Sequence, residues 1–228
     1  MLGLRAEIAR VGVSSKAGRE TVAKDKKMHS TLLRAGLAAL AGMLLMAPSQ
    51  QARADTLSDN VQVCAACHGE SGVPTDKTIP NIWGQKRGYI LNQLHDFKTG
   101  RRKNEIMAGI VASLSWTDMQ DLSTYFAHKE WPDLKQQAAS AEQVRSAMDV
   151  VYDVNCMVCH QENYEGDTVR PRLAGQSQEY LLKTMQDFRS GDRGNYIGMS
   201  ALLRSAGDEQ LKAVADYLGT FKSVTAQK

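Results

Sequence analysis

Apolar residues recur at helical spacing in several short stretches of the chain, and each stretch predicts an amphipathic helix. Two of these stretches match each other and end at a glycine, as a helix C-terminus often does. Their apolar members are Tyr89, Ile90, Leu94 and Phe97 in the first, and Tyr180, Leu181, Met185 and Phe188 in the second. Two further predicted helices, residues 116–129 and 208–221, close the first and second halves of the chain. No strand pattern stands out, so the fold class is predicted to be all-α.

The matched helices belong to a tandem duplication. The sequence C-x-x-C-H occurs at residues 64–68 and again at 156–160, a shift of 92 residues, and Pro, Gly-Gln, Tyr, Phe and Gly positions recur between the copies at a shift of 91. So many matches in register indicate two copies of one domain. We predict domains at 55–138 and 139–228, joined by a linker over residues 131–141.

The first 54 residues are predicted not to belong to the folded part. Residues 28–54 have a short basic start, an apolar run of 13 residues and an Ala-Arg-Ala cleavage site, which together are typical of a secretory signal peptide. A retained membrane anchor is the alternative, although a spanning helix needs about 20 apolar residues. Residues 1–27 are polar and are interpreted as an upstream extension or a mis-called start, with Met28 as the initiator.

Removal of this leader changes the charge of the protein. The whole chain is formally +3, but residues 55–228 hold 19 basic and 22 acidic residues. No basic patch with interleaved aromatic residues is present, so no nucleic-acid partner is expected. We expect an exported protein that meets its partners through modest charge complementarity.

The C-x-x-C-H motif is the attachment signature of a c-type haem. Two thiols one helical turn apart can add to the two vinyl groups of the porphyrin, and the adjacent histidine can then ligate the iron. A CxxC redox pair or half of a zinc site is the alternative interpretation. Two copies use all four cysteines and favour two covalently bound haems. The predicted attachment residues are Cys64, Cys67, Cys156 and Cys159, with His68 and His160 as iron ligands.

A methionine sulfur on the opposite face of the iron raises the reduction potential and suits electron transfer. Met107 and Met199 are the predicted sixth ligands because each lies 39 residues after its histidine and each is the repeat partner of the other. Both are expected in loops. His95 is the main competing ligand, but it has no histidine partner in the repeat and lies in a predicted helix.

Other residues have candidate supporting roles. The carbonyls of Pro80 and Pro171 could accept a hydrogen bond from the second ring nitrogen of each histidine and so orient it; a simple turn is the alternative. Arg170 and Arg172 are candidates to pair with haem propionates.

Two further motifs carry a family resemblance. The pattern P-x-x-x-G-Q-x-x-x-Y occurs at residues 80–89 and 171–180, and F-x-x-G-x-R at 97–102 and 188–193. With the paired C-x-x-C-H motifs, these segments resemble the dihaem cytochrome c4 family over residues 55–221. Both Arg101 and Arg102 are candidates for the arginine position of the first copy.

The resemblance implies two class I cytochrome c domains related by a pseudo-twofold axis, with one haem in each near their interface. It also implies a periplasmic carrier, without enzyme activity, that accepts electrons from a dehydrogenase or a cytochrome bc1-type complex and passes them to a terminal oxidase. An acceptor for thiosulfate dehydrogenase is a neighbouring option, and peripheral association with the membrane is left open.

Two other functions compete with a free shuttle. A dihaem peroxidase or a thiosulfate-oxidising cytochrome would need an iron with an open site or a cysteine ligand, and the matched methionines speak against both. The third option is an electron-transfer subunit docked permanently on a dehydrogenase.

Overall fold

The protein is all-α in the part that the structure describes. The computed structural model describes residues 47–222, and these contain nine helices and no strand. The predicted fold class is therefore confirmed. The predicted upstream extension, residues 1–27, and the greater part of the predicted signal segment, residues 28–46, lie outside the described residues.

The helices follow the duplication. The first half holds α1 (Ala47–His68), α2 (Arg87–Lys98), α3 (Glu105–Val111) and α4 (Trp116–Ala127). The second half holds α5 (Ala141–Val154), α6 (Met157–His160), α7 (Gln178–Ser190), α8 (Ile197–Leu203) and α9 (Asp208–Thr220). In the first half the C-x-x-C-H motif ends one continuous helix, whereas in the second half Asn155, in the left-handed conformation, separates α5 from α6.

Side-chain caps determine where several helices begin. Ser115 and Asp118 form the capping box that starts α4, and Ser140 and Gln143 form the equivalent box at α5. At the other end of a helix, Gly191 terminates α7 with φ +89°, a conformation that favours glycine. The predicted start of α4 at residue 116 and the predicted end of α7 at Gly191 agree with the structure.

Each half has its own hydrophobic core. The core of the first half is formed mainly by α2 and α4, and that of the second half by α5, α7 and α9. The buried members of the first are Ile90, Leu94, Phe97, Val111, Leu114, Met119, Leu122 and Phe126. Those of the second include Val150, Val151, Tyr164, Leu181, Phe188, Leu211, Val214 and Leu218. The first core is the smaller because α1 contributes only partly buried side chains to it, such as Leu57 and Val61.

Residues 130–140 connect the halves without regular secondary structure. In this connection the guanidinium of Arg172 lies over the Trp131 ring, with its Cζ 4.5 Å from the ring centroid. By their contacts, residues Asp55–Lys228 form a single compact unit. The division into domains at 138/139 therefore stays a prediction.

Across residues 47–222, none of the helices combines the length and the apolar character needed to cross a membrane.

Candidate haem-binding site

The first C-x-x-C-H motif occupies the last turn of α1. Cys64 and Cys67 are three residues apart on this helix, so both thiols lie on neighbouring positions of one helical face. His68 is the last residue of α1 and is buried, and its Nδ1 lies 2.8 Å from the carbonyl oxygen of Pro80. The helix thus presents two thiols and one oriented imidazole together.

The second motif has the same arrangement on a shorter helix. Cys156 is the N-cap of α6, and Cys159 and His160 lie on that helix. His160 is 6% exposed, and its Nδ1 lies 3.0 Å from the carbonyl oxygen of Pro171. The hydrogen bonds predicted for the two prolines are therefore present in both halves.

These contacts define the protonation state of the two histidines. Burial lowers the pKa of His68 and of His160, so each imidazole is neutral near pH 7. Because a carbonyl can only accept, Nδ1 must carry the proton, and the lone pair of Nε2 is available for a metal. Burial also raises the pKa of the Cys64 thiol to about 11 and that of Cys156 above its ordinary value.

Met107 and Met199 lie on α3 and α8, so their expected position in loops is wrong. A short helix forms around Met107 because Asn104 caps it, accepting a hydrogen bond of 2.9 Å from the Met107 backbone N–H. Both methionines are partly buried against the core of their own half. Both also line the same cavity as the cysteines and histidines.

That cavity has a volume of about 1180 Å³ and takes its walls from both halves. Sites for a single small molecule usually measure about 300–1,000 Å³. The cavity contains all eight predicted site residues, namely Cys64, Cys67, His68, Met107, Cys156, Cys159, His160 and Met199. Its size and its two equivalent sets of donors fit two haem groups.

Two arginines, the buried Arg193 and the half-buried Arg102, give the cavity a surplus of positive charge. Arg102 donates to the Tyr180 hydroxyl (3.1 Å) and Arg193 to the Tyr89 hydroxyl (3.3 Å), so each arginine contacts the opposite half. Both also donate to Oε1 of Gln93, at 2.9 Å each. Within residues 47–222 neither guanidinium forms an ion pair with a carboxylate.

This charge acts on the neighbouring tyrosines. Burial opposes ionisation of Tyr180, but the positive field of Arg102 and Arg193 outweighs it and lowers the pKa of Tyr180. Burial raises the pKa of Tyr89, its repeat partner. A buried positive charge without a counterion is costly. An anionic group such as a haem propionate would remove that cost, and the buried Nε2 of Gln93, which has no hydrogen-bond partner among the described residues, could donate to it. The arginine pair therefore also fits haem.

Sequence reasoning had identified Arg102 and Arg193 through the repeated F-x-x-G-x-R motif, but not their partners Gln93 and Asn195. Gln93 aligns with Thr184 at the shift of 91, so the repeat gave no signal for it. Asn195 aligns with Asn104, an identical pair in the repeat that lies outside the F-x-x-G-x-R motif. Asn195 donates to Oδ2 of Asp96 at 2.7 Å across the interface.

The competing candidates lie elsewhere. His95 packs edge-to-face on Trp116 with ring centroids 5.6 Å apart, and it does not line the cavity. Arg170 pairs with Asp167 at 2.5 Å, and Arg172 donates to the carbonyl of Ala174 at 3.0 Å. Both line the cavity, but the structure engages them in these contacts. No group of three or more His, Cys, Asp and Glu side chains in the described part of the chain could hold a metal ion, as the zinc alternative requires.

Comparison with known proteins gives consistent similarities. The family model for cytochrome c matches residues 149–222. Cytochrome c4 of Pseudomonas aeruginosa is 30% identical over 208 residues, covering 85% of this chain and 98% of that protein. A thiosulfate dehydrogenase electron acceptor of Stutzerimonas stutzeri is 30% identical and covers 79% of this chain and 92% of its own length.

Among solved structures, reduced recombinant cytochrome c4 from Pseudomonas stutzeri superimposes with a TM-score of 0.66 at 25% identity. The alignment covers 74% of this chain and 98% of that structure. Similarity therefore extends over both halves and not only over the region that the family model matches.

Proposed function

The chain belongs to the cytochrome c4 family and is a c4-type electron carrier with haem c, and from this premise we propose that it is a periplasmic shuttle with two covalently bound haems. In this proposal Cys64 and Cys67 attach one haem, and Cys156 and Cys159 attach the other. His68 and Met107 ligate the first iron, and His160 and Met199 ligate the second.

One observation carries the proposal: the cavity brings together two complete sets of two thiols, one neutral buried imidazole and one thioether. Each set combines residues from two separate helices of its own half. Such a set would supply one nitrogen and one sulfur ligand to an iron. An iron held in this way would favour electron transfer over reaction with a small molecule.

The chain's own residues would hold the cofactor in a state suited to electron transfer. Haem c supplies a one-electron Fe(III)/Fe(II) couple when bound. The Pro80 and Pro171 carbonyls fix the orientation and the tautomer of His68 and His160. Arg102 and Arg193, which both contact Gln93, would supply positive charge to the haem propionates.

The partners are proposed as classes of protein. Electrons would come from a dehydrogenase or from a cytochrome bc1-type complex, and a terminal oxidase would accept them. The similarity to a thiosulfate dehydrogenase electron acceptor adds thiosulfate dehydrogenase as a specific candidate donor. Export through the 28–54 segment, with a mature protein that starts at Asp55 and without residues 1–27, is part of the proposal.

Mass spectrometry and absorption spectroscopy of the exported protein test the assignment. We expect a mature mass that includes two haems, together with low-spin spectra and the long-wavelength charge-transfer band of thioether-ligated ferric haem. Stopped-flow mixing with reduced candidate donors should then reduce both haems. A single attached haem, or a high-spin iron that turns over peroxide, would contradict the shuttle and favour an enzyme.

A further inference from the structure

Gln85 and Gln176 are buried repeat partners that make equivalent contacts across the interface, with exposures of 3% and 2%. Oε1 of Gln85 accepts a 2.8 Å hydrogen bond from the Arg172 backbone N–H, and its Nε2 donates to the Arg172 carbonyl at 3.0 Å. Gln176 binds the backbone of Asn81 in the same way, with both distances 2.8 Å. Each side-chain amide therefore binds one residue of the opposite half through two hydrogen bonds.

The bound residue is the one that follows the histidine-orienting proline. The N–H of Arg172 and the carbonyl of Pro171 belong to one peptide group, and that carbonyl accepts from His160. A chain of two hydrogen bonds therefore runs from the His160 imidazole through this peptide group to Oε1 of Gln85. The equivalent chain runs from His68 through the peptide group between Pro80 and Asn81 to Gln176.

Each glutamine is also held firmly by its own half. Oε1 of Gln85 accepts a second hydrogen bond from the Lys86 N–H at 2.9 Å, and Oε1 of Gln176 accepts one from Ser177 N–H at 2.9 Å. The preceding glycine backbone N–H groups donate to carbonyls at the C-terminal ends of α4 and α9, Gly84 to Phe126 at 2.8 Å and Gly175 to Leu218 at 2.9 Å. With φ of +67° and +76°, these turns favour glycine.

We propose that Gln85 and Gln176 are crossed positioning residues: Gln85 of the first half sets the hydrogen bond that orients His160, and Gln176 of the second half sets the one that orients His68. The inference rests on the proposed histidine ligation. According to this inference, the reduction potential of each iron depends on a side chain from the opposite half.

The physical reason is cooperativity along a hydrogen-bond chain. A hydrogen bond to the N–H of a peptide group polarises that group and strengthens its carbonyl as an acceptor, by about 10–30% per bond. A stronger carbonyl acceptor makes the ligating imidazole more basic, which stabilises ferric iron. Loss of the Gln85 amide should therefore raise the potential of the haem in the second half, and loss of the Gln176 amide that of the first.

The test uses the holoprotein with Gln85→Leu and, separately, Gln176→Leu, because leucine keeps most of the volume and lacks the amide. The two potentials are measured by redox titration followed by NMR. Each haem is assigned through contacts with its own motif segment, Ala65 and Ala66 or Met157 and Val158. Exchange of the Nδ1–H proton of each histidine reports on the hydrogen bond directly.

For Gln85→Leu we expect the redox equilibrium of the second-half haem to shift about threefold, which is about 28 mV at 59 mV per tenfold for one electron. The Nδ1–H of His160 should exchange faster, while the first-half haem and His68 keep their values. For Gln176→Leu we expect the same shift in the first-half haem and faster exchange of the Nδ1–H of His68, while the second-half haem and His160 keep their values. If Gln85→Leu does not fold, Gln85→Asn, which keeps the amide but is too short to span the gap, should show the same crossed pattern.

Gln143→Leu is the matched control. This variant also removes two side-chain hydrogen bonds, one to the Ser140 N–H at 2.7 Å and one to Asp216 at 2.5 Å. Both lie within the second half and away from Pro171. It should lower stability and leave both potentials unchanged. A shift confined to the haem of the glutamine's own half, an equal shift of both haems, or no shift would overturn the inference. The wild-type spectra, with two haems bound through histidine, test the proposed function separately.

Discussion

Gly88 lies on α2 where this helix meets the loop that precedes Arg170, and replacing it by alanine tests the interface directly. A Cβ atom at Gly88 would lie 2.5 Å from the carbonyl oxygen of Thr168 and 3.1 Å from Cγ1 of Val169. The first contact is with backbone, and it cannot be relieved by rotation of a side chain. Either α2 or the Thr168 loop must therefore move.

Helix propensity and interface packing predict opposite effects of Gly88→Ala on the free energy of unfolding. In an exposed helix, alanine in place of glycine stabilises by about 1 kcal/mol. Overpacking at a tight contact costs about 1–3 kcal/mol. Movement of α2 would also weaken the two hydrogen bonds of nearby Gln85 to Arg172, at about 1 kcal/mol each. We expect a net loss of about 2 kcal/mol, which corresponds to a lower Tm by about 4–8 °C in a chain of this size.

Thermal and denaturant unfolding, followed by far-UV circular dichroism, measures this effect. Gly109→Ala is the matched control, because Gly109 is an exposed residue of α3 and a Cβ there meets no described atom within 4 Å. It should stabilise the protein by about 0.4–1 kcal/mol. If Gly88→Ala is as stable as Gly109→Ala, the two halves do not approach each other as closely as the structure places them. The glutamine contacts across the interface would then be contradicted as well.

Three further predictions concern ligation, the core and acid stability. Met199→Ala should leave the second haem attached through Cys156 and Cys159 but lower its potential, as measured by redox titration. Leu211→Ala, at a fully buried position, should cost about 2–5 kcal/mol in denaturant unfolding. The backbone N–H groups of Arg170 and Val169 and the Arg170 side chain lower the pKa of Asp167 to about 2. Because the pKa of Asp167 in the folded protein lies below its ordinary value of 3.8, wild type should be more stable than Asp167→Asn above about pH 4, and this advantage should disappear as pH falls through about 2.

Each of these has a clear contrary outcome. Unchanged redox behaviour of Met199→Ala would show that another group ligates the second iron. A loss below 1 kcal/mol for Leu211→Ala would mean that α9 does not pack as the structure places it. A stability difference between wild type and Asp167→Asn that does not change between pH 5 and pH 2 would show that the Asp167 contacts do not persist in solution.

The sequence alone was sufficient for features that depend on local or periodic patterns. Helical spacing of apolar residues predicted an all-α fold, and the repeat predicted two equivalent sets of site residues. The C-x-x-C-H motif and the proline about a dozen residues later are separated by short chain segments, and the predicted histidine–carbonyl contacts are present in both halves. Local caps such as Ser115 with Asp118 could be identified in the same way. One local prediction failed in both halves: Met107 and Met199 were expected in loops, and both lie on short helices. The helix of Met107 begins at a cap formed by Asn104, which the sequence pattern alone did not reveal.

Only the tertiary structure decided which residues meet across the interface. The repeat showed that Gln85 and Gln176 are equivalent, but their partners, Arg172 and Asn81, lie 87 and 95 residues away in the chain. The arginine–tyrosine contacts span 78 and 104 residues. Such pairings follow from how the two halves dock. Docking depends on the shape and polarity of whole surfaces. The position of a residue in a sequence pattern does not determine which residues of the other half it will contact.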